Sequence, residues 1–403
     1  MRSAGVSACA VLVLGLWVVS TGGGCGSSSD TAKSVTVKPG QSIQAAVDAA
    51  APGATINVMP GDYTEQGTAS DFGLVAVRIT KPLNLIAKSA PPPGKKVRIL
   101  PGPGQMHGIL VEPANEGDPD IDGLEINGFT VQGFSNMGIW LRHVNNFDIE
   151  NNESIDNLEN GIFPTLSANG LVKKNLAYGS QDSALWVEAS ENVRVLSNEL
   201  HDSPTGLEIT ISKEITAEKN NIHDNTIGVG LYPPSTAGLP QDEWPSFFDD
   251  GHWHVLNNDV HDNNTQNSAS EGSETSQLPY GGGVLVMGVH DIDLQMNQIE
   301  NNVFFGISLV DYCLVVAGTP FNCTDNPPPA NPATEHVQVI KNTLVNNHGA
   351  PPPGPFQAFA ADVLEVQVDP NAATTNCFSK NTINNPPTNP PLTIPNPLVP
   401  VCD

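Results

Sequence analysis

A phrase of about two dozen residues keeps returning in this chain, and that period limits the possible folds more than any other feature. Gly138, Gly161 and Ala184 are evenly spaced, and Gly206 and Gly228 follow at a step one position shorter. An Asn trails the first four of these at a constant offset, at Asn152, Asn175, Asn198 and Asn220. Between these marks, short runs such as Ile139-Trp140-Leu141 and Val193-Arg194-Val195 show the period of two that belongs to strands. A unit this small cannot bury its own apolar side chains, so it needs a copy above and below it. Three short strands and their turns use up one repeat per coil, and equivalent residues then stack at the roughly 4.8 Å spacing of paired strands. The prediction is an all-β parallel β-helix. The recurring Asn then has a structural task, because a short amide can satisfy turn backbone and its own equivalents in neighbouring coils.

The same phrase returns at Asn258, Asn297, Asn342 and Asn381, while Gly283 and Gly306 open further units at the longer of the two steps. The spacing breaks near 232–251, 265–280 and 313–334, which predicts insertions that leave the coils as side loops. At the start, Gln44 to Ala50 reads as one or two helical turns with Ile43, Ala46, Val47 and Ala50 on one face. A short helix there would cap the open first coil. The coils are expected over 35–385, followed by an extended Pro-rich tail at 386–403.

With the opening SIQAAVDAA…PGATINVMPGDY and the repeated Asn-hydrophobic-x-Asn-Asn words, the chain resembles the right-handed parallel β-helix proteins of the pectin-lyase-like superfamily over roughly 35–385. The resemblance implies the right hand of the coil. It also implies a class of activities, since that superfamily includes polysaccharide lyases, epimerases and glycoside hydrolases that work in a groove on the coil surface. The fragment YGSQDSALW at 178–186 is similar to the Tyr-Gly-x-Asp-Pro-His phrase of alginate-type epimerases, but Ser183 and Ala184 stand where Pro-His would be needed.

An apolar run from Val6 to Val19, preceded only by Arg2, reads as a secretory signal over 1–24. The following TGGGCGSSSD resembles a bacterial lipoprotein processing site at Cys25 with a polar tether over 25–34, although Gly22 stands where those sites usually carry Leu. A lipid anchor on Cys25 would place the protein at the bacterial cell envelope as an outer-membrane lipoprotein; a cleaved signal alone would leave it extracellular. Four cysteines then remain, and an even number in an exported chain favours disulfides, for which Cys313 with Cys323 and Cys377 with Cys402 are the favoured pairs among several. The balance of 17 Lys and Arg against 43 Asp and Glu gives a net charge of −26 and makes nucleic acid a poor partner. Polyanionic glycans are disfavoured unless a divalent metal bridges them, and neutral or cationic glycans fit better. The chain is expected to be a monomer.

The outward positions hold the candidate chemistry. If Ile139 and Leu141 face in, Trp140 and Arg142 face out, and the period stacks Phe163 and Trp186 over Trp140, with Glu208 next in line. The neighbouring column then reads Arg142, Thr165, Glu188, Thr210 and Tyr232. An aromatic stripe bordered by two carboxylates is how a protein would hold a chain of pyranose rings, with Trp140, Arg142, Phe163, Trp186 and Tyr232 as contacts. Glu188 and Glu208 are the carboxylates for any proton transfer. The competing structural reading is a satellite core beneath an insertion such as 232–251.

The repeated pairs His201-Asp202, His223-Asp224 and His261-Asp262 should also face out, and their recurrence with the turn Asn argues for solvated strand ends rather than a metal site. The irregular cluster Asp249, Asp250, His252 and His254 is slightly more suggestive of a metal site, though solvation of an Asp-rich loop explains it too, and Asp118, Asp120 and Asp122 give a weak Ca²⁺ signal. No cofactor is required by the pattern, and it leaves room for Ca²⁺. The sequence thus supports an exported protein that binds, and in a stronger version processes, an extended polysaccharide. The alternatives are a polysaccharide-active enzyme (a glycoside hydrolase before a lyase or epimerase) and a non-catalytic solenoid.

Overall fold

The computed structural model describes residues 34–89, 94–233, 251–273, 275–315, 331–353, 357, 359–367, 375–384, 392–394 and 401–402. They form a parallel β-helix with three faces, built from sheets of 12, 11 and 12 strands whose neighbours come from successive coils, except that the third sheet begins with an antiparallel hairpin of Thr68–Ser70 and Gly73–Ile79. One coil runs from Ser183–Glu188 in the third sheet through Glu191–Leu196 in the first and Glu199–His201 in the second, and the next begins at Thr205–Thr210. The register is in step with the sequence period: Leu185 pairs with Leu207, Val195 with Ala217 and Leu200 with Ile222. These side chains point inward and are fully buried, each contributing about 1.5–3 kcal/mol of apolar burial for Leu, Ile or Val.

The small residue that opens each repeat is explained by close approach. A Cβ on Gly206 would stand 2.6 Å from Ile222 Cγ2, 2.7 Å from Asn225 Nδ2 and 2.7 Å from the carbonyl oxygen of Gly228 in the next coil. The Asn series forms one continuous ladder. Asn152 Nδ2 donates to Asn175 Oδ1 at 3.1 Å, Asn175 to Asn198 at 3.0 Å and Asn198 to Asn220 at 3.0 Å, and the run continues through Asn258, Asn297 and Asn342 to Asn381. The left-handed backbone at this turn belongs to the residue before each amide, such as Asn151, Lys174, Ser197 and Lys219, and not to the ladder Asn itself.

A second ladder, which the sequence reading did not identify, stacks Ser203, Asn225, Asn263, Asn302 and Asn347, and ends on the Asp362 carboxyl. A third, of hydroxyls, links Ser167, Ser190 and Ser212. Together they satisfy turn amides that three stacks of corners would otherwise bury without partners.

The expected helix is present at Ile43–Ala49, capped by Ser42, with Ile43 and Val47 buried against the first strands. Glu65 holds its first turn by accepting from the Ile43 N–H at 2.7 Å. At the other end, Leu392–Ile394 in the Pro-rich tail adds a strand to the third sheet, beside Ala361–Val366. A disulfide joins Cys377 to Cys402, as paired above. Cys313 is also disulfide-bonded, whereas Cys323 lies outside the described residues, as do Cys25, the expected signal and the tether. No helix among the described residues is long and apolar enough to cross a membrane.

The three sheets differ on their outer sides. Strands of the first and second sheets alternate buried and exposed residues, but six strands of the third, from Ser183–Glu188 to Ala361–Val366, are buried at every position. On its outer side in the later coils, Tyr232, Leu285, Met287 and Phe305 pack with Leu278 and Tyr312 from the insertions. The third sheet therefore has a covered outer face, and the candidate residues lie on it.

Candidate active site

The outward columns of the third sheet are those the period implies. Trp140 pairs with Phe163, and Arg142 with Thr165; Thr165 pairs with Glu188; Trp186 pairs with Glu208 and Glu188 with Thr210; Thr210 pairs with Tyr232. The aromatic stripe does form, but not as an open platform. Trp140 and Phe163 stack with ring centroids 6.0 Å apart and an interplanar angle of 11°, Phe163 and Trp186 at 4.6 Å and 15°. The three rings are only 4–7% exposed and, with Val75 and Leu110, make a separate small core. A pyranose packs on a ring face, and here the faces are turned to one another along the coil axis. Arg142 lies over Phe72, 4.5 Å from its centroid, and over Trp140 at 5.4 Å. The segment 234–250, considered above as a cover, lies outside the described residues.

Glu188 and Glu208 sit on adjacent strands, two positions out of step. Glu188 is almost fully buried and accepts a hydrogen bond from Thr165 Oγ1 at 3.0 Å. Glu208 accepts from Ser183 Oγ at 2.5 Å, which turns its carboxylate toward the start of the strand, where Asp182 stands. Tyr232 comes to the same place from the coil after Glu208. Its ring folds back over Gly230, the residue that pairs with Glu208. Burial, with the charges of Glu208 and Asp182, holds the Tyr232 phenol well above its ordinary value near 10. Thr205 lies beside the phenol and pulls the other way, but neither hydroxyl completes a well-formed hydrogen bond although both are buried. Such an arrangement costs about 1–3 kcal/mol per group unless something fills it.

Asp182 is half-buried beside this cluster. Burial pushes its carboxyl above the usual carboxylate range, opposed by hydrogen bonds from Thr275 and Asn160. Thr275 Oγ1 donates to Asp182 Oδ1 at 2.6 Å from the insertion predicted at 265–280. That segment is laid back over the site: Asn267 Nδ2 holds the carbonyls of Thr275 and Leu278 at 2.8 and 3.0 Å, and Leu278 packs with Tyr232. One coil below, Glu159 stands next to Asp182, its carboxyl raised by desolvation and by the charge of Asp182.

Of the residues singled out from the sequence, Glu208 and Tyr232 lie in this cluster, and Asp182, Ser183, Thr205 and Thr275, which join them, were not singled out as site residues. Asp182 and Ser183 lie within the 178–186 phrase singled out above, but Thr275 is 93 residues from its partner and gave no signal.

The remaining candidates lie elsewhere. His201, His223 and His261 form an outward column on the second sheet, continuous with Tyr178, with centroids 4.6, 4.9 and 5.1 Å apart. Each Nδ1 is held by the following Asp, itself in a left-handed turn. Asp118 bonds Asn115, Asp122 bonds Asn146 and Asp120 lies 3.5 Å from His143, so the three carboxylates serve different partners. His254 is paired with Asp293 and His252 with Glu214, while Asp249 and Asp250 are outside the described residues. Among the described residues no three His, Cys, Asp or Glu side chains gather as a metal site.

The family described as "Right handed beta helix region" matches residues 104–238. No curated protein matches the chain. Solved structures do. The A-module of the mannuronan C-5 epimerase AlgE4 of Azotobacter vinelandii is 15% identical, with a TM-score of 0.54 over 85% of this chain and 90% of that one. The periplasmic alginate epimerase AlgG is 13% identical, with a TM-score of 0.52 over 82% and 69%. DFA-IIIase from Arthrobacter chlorophenolicus A6 is 15% identical, with a TM-score of 0.52 over 84% and 77%. At these identities the likeness is one of fold.

Proposed function

We propose, on the premise that this chain is a right-handed parallel β-helix of the pectin-lyase-like superfamily, that it is a polysaccharide-active enzyme of the glycoside-hydrolase type working at the Asp182, Glu208 and Tyr232 cluster. The observation behind this reading is that two carboxyls in different environments meet two buried hydroxyls that lack well-formed partners. Burial raises the Asp182 carboxyl, while Glu208 is held as a hydrogen-bond acceptor by Ser183, a donor beside an acceptor. Asp182, favoured in its protonated form, gives its proton to the leaving glycosidic oxygen. Glu208, an acceptor toward Ser183, takes a proton from the water that attacks the anomeric carbon. Tyr232 and Thr205 bond sugar hydroxyls, and the stacked Trp140, Phe163 and Trp186 form the wall of the site.

Fold neighbours that include a mannuronan C-5 epimerase, an alginate epimerase and a DFA-IIIase support a carbohydrate substrate in general. Elimination beside a uronate is the weaker alternative, because it needs cations around the substrate carboxylate and this cluster is acidic.

The test is to incubate the purified protein with neutral, acidic and amino-sugar polymers and assay new reducing and unsaturated ends. New reducing ends lost in D182N and E208Q support the reading, and their absence on every polymer defeats it. We also place the protein outside the cytoplasm, anchored through Cys25; detergent phase partitioning that is equal for wild type and C25A would leave it unanchored.

A further inference from the structure

One column of the third sheet breaks the pattern that the coils otherwise keep. The residue just before the small residue of each coil is Met137 early on and Ile227, Gly282 and Phe305 later, with Asn160, Ser183 and Thr205 between them. Stacking therefore accepts an apolar side chain at this place. A departure from the repeat that stacking does not require marks a local task. These three polar residues stand in the coil of Asp182, in that of Glu208 and in the one below both.

Asn160 differs from the other two, because its side-chain amide works on two consecutive residues of the next coil. It is 1% exposed. Its Oδ1 accepts the main-chain N–H of Ser183 at 3.0 Å, and the same amide hydrogen-bonds the Asp182 carboxyl, opposing the effect of burial there. In the coils that follow, the corresponding N–H goes to a main-chain carbonyl instead: Thr205 N–H to Asp182 at 3.0 Å and Ile227 N–H to Pro204 at 2.9 Å. At Ser183 a side chain takes that part. With Oδ1 held by an N–H, the group left to face the carboxyl is the donor Nδ2, whose other neighbour is the weak acceptor Met137 Sδ at 3.7 Å. Ser183 in turn donates from Oγ to Glu208 at 2.5 Å. One amide thus reaches Asp182 directly and Glu208 through Ser183.

We infer that Asn160 is the positioning residue of the reaction centre, fixing the Asp182 carboxyl and the Ser183 backbone in one geometry and, through Ser183, the Glu208 carboxyl with them. This rests on the reading of Asp182 and Glu208 as acid and base, and it adds the element that sets their arrangement. It holds for either form of Asp182, since a protonated carboxyl still offers an acceptor oxygen to Nδ2.

Asn160→Leu removes both bonds, and the apolar residues at this place in other coils show that the stack accepts such a side chain. Asn160→Asp keeps the shape and an acceptor for Ser183 but loses the donor. The first readout needs no substrate: the Asp182 carboxyl is titrated by carbon-13 NMR on the full chain, with D182N identifying the signal. Losing a donor disfavours the ionised form, so the titration should move to higher pH in both variants. Should N160L fold poorly in thermal melts, N160D carries the test. The second readout is the rate on a polymer that the wild type cleaves. In N160L kcat should fall by about 10- to 100-fold with KM little changed, and the limb that declines with rising pH should move up with the titration. An Asp182 titration that stays at its wild-type position in the folded variants overturns the inference. Cleavage by N160L at the wild-type rate and with the wild-type limb overturns it too, and leaves the hydrolase reading intact. A titration that moves as expected, with no cleavage of any polymer by the wild type, would defeat that reading and leave Asn160 as the residue that holds Asp182.

Discussion

Tyr232 rests over Gly230, two residues back on its own strand: a Cβ on Gly230 would stand 2.3 Å from Tyr232 Cζ and 2.4 Å from the hydroxyl oxygen. Since Gly230 is the register partner of Glu208, the bare glycine is what lets the phenol reach the carboxylates. Gly230→Ala is therefore expected to displace the ring while leaving the coils intact. A misplacement of about 1 Å in a catalytic arrangement costs up to about 10²-fold in rate. The ultraviolet titration of the phenol should also fall back toward the ordinary Tyr range, with Tyr232→Phe identifying the signal. An unchanged titration and an unchanged rate would remove Tyr232 from the site.

The ladder amides should dominate stability. Asn198 accepts from the Asn175 N–H at 2.9 Å, and its Nδ2 donates to the Val172 carbonyl and to Asn220 at 3.0 Å each. Asn198→Ala leaves a buried N–H and a buried carbonyl unsatisfied, at about 1–3 kcal/mol each. A loss of roughly 3–5 kcal/mol is expected by denaturant titration, against less than about 0.5 kcal/mol for a change at the exposed strand position Asp259. Equal effects at the two positions would contradict the ladder's role.

The contrast between these two residues shows what was legible in the sequence. Asn198 is fixed by its own coil and the ones beside it, so the repeat period revealed its place, its neighbours and even the pairing of Trp186 with Glu208. The second ladder followed the same spacing but changes residue type, with Ser at Ser180 and Ser203 before the Asn run from Asn225, so its repetition was less visible. Burial was not legible. Trp140, Phe163 and Trp186 read as outward and are outward, yet their exposure depends on what lies over the sheet, and an insertion obeys no period. For the same reason Asp182 acquired its importance only when Thr275 was found upon it.

Glu365 gives a pH dependence of known sign. It occupies an inward column of the third sheet, pairing with Leu309, and burial raises its carboxyl to about 7 despite hydrogen bonds from Asn376 and Gln367. An unfolded Glu titrates near 4.3, so between about 4.3 and 7 the folded chain binds the extra proton. The stabilisation is fully present below that window and is lost as pH rises through about 7, by on the order of 3 kcal/mol. Glu365→Gln should flatten the profile, matching wild type near pH 4 and exceeding it at pH 8 in thermal melts. Parallel profiles for the two proteins would show that Glu365 does not titrate in this range.

The contact between Thr275 and Asp182 makes the last prediction, which joins the covering segment to the chemistry. A hydroxyl that donates to a carboxylate favours the ionised form, so Thr275 holds the Asp182 carboxyl lower than burial alone would set it. If Asp182 is the proton donor, activity declines as pH rises through its titration. Thr275→Val keeps the shape of the side chain and removes the bond, and the declining limb should therefore move to higher pH. Thr275→Ser restores the donor and should restore the limb. A merely structural role for Thr275 would change the amount of active protein and leave the limb where it was. Movement to lower pH would instead mean that the segment had lifted and let water reach Asp182, since rehydration favours the charged form. Pre-steady-state rates over the pH range for the three proteins would separate these outcomes, because each displaces the limb in a different direction or not at all.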